Sequence, residues 1–306
     1  MQVSVLLSSY NGEQYIEEQL SSIFSQTREP DQVVIVDDCS TDSTVEKIRT
    51  FIEKKNLSDK WEIHENTSNM GWRWNFIDGL KYVTGDVVFY SDQDDIWFDN
   101  KIAEYTKVLS NDSSINVLVS SETLWNSDSP KPRCCISKYH YDLIELSANN
   151  DDYLIRTSGC CMAIRMEYVN RMIHYCIRGW AHDDFFWKMG ILDGSLAYIT
   201  TSTILHRITG VNESRKKNTF SKALWSTKVD IQIANALIQR LDNEKIAKDN
   251  EKKIIIKHKL KGFVVKQSML EKKSIFSALQ LCFFYSDIYR RKRQIVGDYL
   301  RALHLL

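Results

Sequence analysis

Short β-branched runs alternate with helix-period segments through the first 90 residues, and this alternation restricts the fold more than any other feature. The runs are VSVLL at 3–7, QVVIV at 32–36, WEIHE at 61–65 and DVVFY at 86–90. Between the first two, EQYIEEQLSSIFSQ puts Tyr15, Ile16, Leu20, Ile23 and Phe24 on one helical face. TDSTVEKIRTFIEKK does the same with Val45, Ile48, Phe51 and Ile52, and Ser40 or Thr41 is the expected cap. A third helical segment, WRWNFIDGLKYV, precedes the fourth run. Strands joined by helical crossovers of this length must lie parallel, because the helix has to return the chain to the same end of the sheet. The expectation is a doubly wound α/β sheet, mixed but mostly parallel, with flanking helices.

The pattern continues with a helix over about 99–109, a strand at 115–120, strand character in SGCCMAIR at 158–165, a helix at 167–177 and a strand in SLAYITTSTILHR at 195–207. Residues 125–150 hold two of the three prolines and read as a loop excursion. From about Phe220 the character changes: no proline follows Pro132, and the remainder reads as long amphipathic helices. The 40 basic and 40 acidic residues balance overall, which gives no argument for nucleic acid. Residues 251–306 nevertheless carry 13 Lys and Arg against 4 Asp and Glu, so this end is expected to meet something anionic. Seven cysteines without a C-x-x-C pair argue against a disulfide framework or a zinc site, and Cys134-Cys135 and Cys160-Cys161 read as small buried hydrophobes in a reduced, cytoplasmic protein. No run approaches the ~18 apolar residues of a membrane span.

In a doubly wound sheet ligands bind beyond the carboxyl ends of the strands. The residues there are Ser8, Ser9, Tyr10 and Asn11 after the first strand, Asp37 and Asp38 after the second, and Ser91, Asp92, Gln93, Asp94 and Asp95 after the fourth. Each group alone suits a turn or a helix cap, but neither needs so many acids at two strand ends. Carboxylates spaced like Asp92 and Asp94 can share Mn²⁺ or Mg²⁺, hard cations that take oxygen ligands and leave positions for phosphate. Tyr10 and Asp38 could take the flat face and polar edge of a pyrimidine nucleoside. There is neither a G-x-x-x-x-G-K-[ST] loop nor a G-x-G-x-x-G turn, against phosphate-loop nucleotidases and NAD enzymes. Further on, His182, Asp183 and Asp184 open an aromatic helix, either as an acidic first turn or as a proton acceptor. His206, Arg207 and Asn212 follow the last strand; a surface histidine and a metal ligand are both open readings of His206.

On VSVLLSSYNGEQYIEEQLSSIFSQT, VVIVDDCSTDST, NMGWRWNFIDGL, GDVVFYSDQDDIW, SGCCMAI and AHDDFFW, in that order, residues 1 to about 212 resemble the family 2 inverting glycosyltransferases of GT-A fold, closest to their bacterial rhamnosyltransferase-like branch. The resemblance implies that Ser8, Tyr10, Asp38 and Asp92 bind the nucleotide sugar, that Asp94 with Asp92 holds Mn²⁺ or Mg²⁺, and that Asp183 is the catalytic base, with Asp184 as the fallback. Trp97, His206 and Arg207 stand as contacts to acceptor or donor. Thr209 occupies the place of the family's histidine. The implied reaction moves a sugar from a UDP- or dTDP-sugar, dTDP-L-rhamnose among them, to a glycan or lipid-linked acceptor of a bacterial surface polysaccharide. Expected domains are a catalytic 1–215, with donor binding in 1–110 and acceptor and base in 111–215, and a basic helical 216–306. That last part would contact the inner face of the plasma membrane or form a homodimer. The rival readings are a nucleotide-sugar or glycan binding module without turnover, and a nucleotidyltransferase.

Overall fold

The computed structural model describes residues 1–126, 129, 132, 141–144, 152–209, 219–243 and 250–304. Asn212, Cys134-Cys135 and most of the 125–150 excursion lie outside them. The chain divides into two compact units: Met1–Glu145 with Ile155–His174 and Ala181–Gly210, and Leu146–Leu154 with Tyr175–Trp180 and Val211–Leu306.

In the first unit the expected alternation is present as β1 (Val3–Ser9), α1 (Ile16–Phe24), β2 (Gln32–Asp37), α2 (Thr44–Lys54), β3 (Trp61–Glu65), α3 (Trp72–Gly79) and β4 (Val87–Ser91). β3, β2, β1 and β4 lie side by side and parallel. A sheet covered on both faces needs apolar residues at successive positions, which explains why the runs of β1, β2 and β4 are almost continuously hydrophobic, whereas β3 at the sheet's end carries Glu62, His64 and Glu65. Val3, Val5, Leu7, Val33 and Ile35 face one core with Ile16, Leu20, Ile23 and Ile48 of α1 and α2. On the other face α3 approaches so closely at Gly79 that a Cβ there would meet Leu6 Cδ1 at 2.9 Å. α2 starts later than the expected caps. Ser40 and Thr41 instead bond Asp37 and Asn11, and the Asp42 carboxylate accepts the Thr44 N–H at 3.0 Å.

The rest of the unit is mixed. It comprises β5 (Ile96–Trp97), α4 (Lys101–Asn111), β6 (Val117–Trp125), β7 (Tyr141–Ile144), β8 (Met162–Arg165), α5 (Met166–Met172), α6 (His182–Asp193) and β9 (Leu196–Arg207). The sheet runs β3-β2-β1-β4-β8-β6-β9-β5, with β7 also on β9. β8 is antiparallel to both neighbours, so the strand direction is reversed just beyond β4. Two expectations are corrected here. The excursion contains a strand at Tyr141–Ile144, paired antiparallel with the first residues of β9. In SGCCMAIR only the last four residues form a strand, and Gly159–Cys161 make a 3-10 turn.

The second unit holds α7 (Phe220–Asn243), α8 (Asn250–Lys272), α9 (Ile275–Phe284) and α10 (Arg293–Ala302). The final stretch is thus two short helices rather than one long one, since Tyr285–Tyr289 turns the chain around a 3-10 segment. Among the described residues no helix is long and apolar enough to cross a membrane.

Candidate active site

Strand register decides which side chains meet. Ser9 lies opposite Asp37, and Leu7 opposite Ser91, so the chain leaves β1, β2 and β4 at one sheet edge. Tyr10 and Gln93 continue that alignment: the Tyr10 N–H donates to Gln93 Oε1 at 2.7 Å and Gln93 Nε2 donates to the Tyr10 carbonyl at 3.0 Å. This couples the loop after β1 to the acidic loop after β4 and leaves the Tyr10 side chain exposed.

Asp38 is buried and anchors the neighbouring loop. Its carboxylate accepts the Met70 and Gly71 N–H groups, both at 2.8 Å, and Asn66 Nδ2 at 3.0 Å. Asn66 passes the connection to Asn75, whose Nδ2 donates to Ser8 Oγ at 2.7 Å. Ser8 and Asp38 therefore belong to one network under the edge. Asn66 in its loop and Asn75 within α3 are absent from the sequence expectations because a lone amide has no distinctive spacing, and Gln93 stands there only as part of the polar strand end.

Four acidic or amide residues in a row at the end of β4 raise the question of what balances them. Burial first, then the charges of Asp95 and Asp94, push Asp92 up to about 8. Asp94 is raised to about 6 by burial and by Asp95. Asp95 is 1% exposed; its Oδ1 accepts the Arg207 N–H at 3.1 Å, and its Oδ2 has no hydrogen-bond partner. The cations come from distant segments. β9 pairs with β5 through Leu205 and Ile204, which brings His206 and Arg207 to the residues just after Asp94. His206 Nδ1 lies 3.3 Å from Glu122 Oε2 and 3.9 Å from Asp95 Oδ1. Burial alone would lower its pKa, but the Glu122 bond and the charges of Asp95, Glu122 and Asp92 carry it up to about 10, so the ring is protonated at neutral pH. Buried Lys101 donates to the Cys160 carbonyl and lies 3.8 Å from the Trp97 ring centroid; burial takes it down to about 8 against the pull of the nearby thiols, Asp95 and Asp92.

Arg207 and Trp97 are placed differently from the contacts expected of them. The Arg207 guanidinium donates to the Asp94 carbonyl at 2.8 Å, pairs with Glu18, and lies 4.6 Å from the rings of Tyr15 and Trp125. It clamps the acidic loop from below. Trp97 is 1% exposed and packs on Phe89, within the core.

At the start of α6, Lys188 takes the Asp184 carboxylate one turn along the helix. Asp183 Oδ1 accepts the Asp184 N–H at 2.8 Å, while burial and the Asp184 charge raise its carboxyl to about 6. Asp183 is also among the charges that raise Asp92, so the two acidic groups lie within electrostatic reach of each other. His182 is a core residue: its ring is 4.1 Å from Phe76 and 4.5 Å from Tyr90, neither nitrogen has a hydrogen-bond partner, and burial and Arg73 lower it to about 3. Gly159 makes room for it, since a Cβ there would stand 2.4 Å from His182 Nε2.

Three donor sets come into question for a cation among the described residues, one of them Glu122, Cys160 and Cys161, whose ligand atoms lie within 4.8 Å of one another. Asp92 and Asp94 are all-oxygen, crowded, and backed by the unpartnered Asp95 Oδ2, a fit for a hard divalent ion. Ligand atoms of Asp95, Cys160 and His206 also lie within 4.8 Å of one another. Ligation there needs a thiolate and a neutral imidazole, whereas the Cys160 thiol is held well above its usual range by Cys161 and burial, and His206 is protonated. The oxygen set requires neither change.

Solved structures of low sequence identity share this architecture. S. aureus TarS 1-349, solved with UDP-GlcNAc, superposes with a TM-score of 0.64 at 18% identity over 99% of this chain and 81% of that one. The Pyrobaculum calidifontis mannosyltransferase PcManGT, solved with GDP-Man and Mn²⁺, gives 0.51 at 17% identity over 99% and 85%. The fold is that of a GT-A glycosyltransferase. Residues 4–172 match the family Glycosyl transferase family 2, and the chain belongs to that family. A glycosyltransferase of Haemophilus influenzae is 24% identical over 99% of this chain and 98% of its own. One of Nostoc is 31% identical over 119 residues, 39% of this chain and 36% of the relative's length.

Proposed function

We propose that this glycosyltransferase inverts the anomeric centre of a nucleoside-diphosphate sugar in one displacement. The observation that carries the reading is the convergence, at one sheet edge, of an exposed Tyr10, the Asp38–Asn66–Asn75–Ser8 network and the acidic loop after β4. Tyr10 stacks on the base of a UDP- or dTDP-sugar, and the Ser8 and Asp38 network holds its ribose and polar edge. Asp92 and Asp94 would hold Mn²⁺ or Mg²⁺; bound there, such an ion neutralises charge that develops on the departing diphosphate. Asp183, whose carboxyl burial and the Asp184 charge raise to about 6, accepts the proton of the acceptor hydroxyl. The hydroxyl oxygen bonds to the anomeric carbon as the carbon–oxygen bond to the diphosphate breaks on the opposite face. A β-linked donor thus yields an α-linked product.

Residues 1–110 serve the donor in this scheme, and residues 111–215 supply the base and the acceptor side. The acceptor is a glycan or lipid-linked saccharide of a bacterial surface polysaccharide, and dTDP-L-rhamnose is the donor to test first, on the rhamnosyltransferase-like motif set. The deciding experiment is a thermal-shift panel of nucleotide sugars with Mn²⁺, followed by donor hydrolysis by the best binder. Stabilisation and slow release of nucleoside diphosphate support the reading. Stabilisation without release over days would make the chain a binding module instead.

A further inference from the structure

We propose that α9 lies in the interface of an anionic lipid bilayer, with its aromatic face inserted among the headgroups. The helix exposes Ile275 at 63%, Phe276 at 67%, Leu279 at 49%, Phe283 at 76% and Phe284 at 67%, while Ser277 and Leu281 turn inward. Positions 276, 279 and 283 recur at helical spacing, so these side chains form one continuous apolar stripe rather than scattered exceptions. Such a stripe in water keeps its full hydrophobic cost.

Charge indicates what covers it. Lys272 and Lys273 precede the helix, and Arg291, Lys292 and Arg293 follow it, all of them exposed. Within residues 272–293 the single acid is Asp287, whose carboxylate is taken by Lys259 at 2.8 Å and by His258 at 3.2 Å. An apolar stripe bracketed by cations matches acyl chains below anionic headgroups. A second copy of the same face would set basic ends against basic ends in either helix direction, a repulsive arrangement.

The test is co-sedimentation of the full chain with large vesicles of phosphatidylcholine, with and without about a third phosphatidylglycerol. Binding is expected only to the anionic vesicles and should weaken in high salt. The double variant Phe276→Ser/Phe283→Ser should partition at least about tenfold less, since both rings leave an exposed face and their removal opens no cavity. Each of Lys273→Gln and Lys292→Gln should cost about fivefold. An unchanged thermal midpoint and unchanged donor hydrolysis would show that the variants fold and that catalysis is a separate matter. Absence of binding to anionic vesicles, or equal binding by the aromatic double variant, overturns the proposal. So does a wild-type dimer that this variant splits, which would make a second copy the occupant.

Discussion

Two groups of acids sit in the first unit, one after β4 and one at the start of α6, and their surroundings differ in which cations they supply. At Asp92–Asp95 three carboxylates crowd together with His206, Lys101 and the Arg207 clamp drawn in from remote segments, yet Asp95 Oδ2 still has no partner. On the proposed reading this loop is the one that takes a further cation. At Asp183–Asp184 the pair is split: Lys188 satisfies Asp184, and Asp183 is left buried with its carboxyl at about 6. On the proposed reading this is the group that accepts a proton. Acid count therefore says little about role; what the neighbouring cations have already claimed says much more.

The comparison can be broken most directly at Asp183. Asp183→Asn keeps the shape and removes the proton acceptor, so turnover should fall about 10²–10⁴-fold. Donor affinity measured calorimetrically should stay within about twofold, because the residue acts after binding. Asp94→Ala should show the converse signature, a loss of about tenfold or more in donor affinity with Mn²⁺ present. That variant should also become insensitive to chelator; retained sensitivity would move the cation elsewhere.

A pH series sharpens the contrast. Asp183 works only ionised, so turnover should drop about tenfold per unit below the pH of about 6 at which it protonates. In the metal-free protein Asp92 titrates at about 8 and Asp94 at about 6, so an entering cation must displace protons. Mn²⁺ affinity should accordingly rise between pH 6 and pH 8, and an affinity flat over that range would mean these carboxylates are not its ligands. Gly159→Ala probes the support of the base: its Cβ would meet His182 Nε2 at 2.4 Å and Asp183 Cβ at 3.2 Å. A loss of about tenfold in kcat with little change in KM is expected from a displaced Asp183. The smallest effect belongs to Gly12→Ala, whose Cβ would stand 2.2 Å from Gln93 Oε1. Gln93 can swing away, losing two hydrogen bonds to Tyr10, and donor affinity should weaken about three- to tenfold.

The four parallel strands and both acidic groups were legible in the residues themselves, because a fully buried strand must be continuously apolar and its end must be polar. β5 was not, since two residues carry no period, and β7 was hidden among prolines and polar residues. The contact roles expected of Trp97 and Arg207 rested on position in the chain alone, whereas pairing of Trp97 with Ile204 of β9 and of Arg207 with Glu18 of α1 helps to bury them. Trp97 is filled in by Phe89 and Lys101, and Arg207 by Glu18, Tyr15 and Trp125.

Local periodicity thus determined the alternating architecture and the sheet edge that bears the polar residues, and the ordered motifs carried the resemblance to the family. The tertiary structure alone decided which charges each acid meets, and hence that Asp184 is occupied while Asp183 is not. The reason is physical: hydrophobic period is a property of adjacent residues, whereas a pKa depends on burial and on charges that α4, β6 and β9 bring together from separate stretches of the chain.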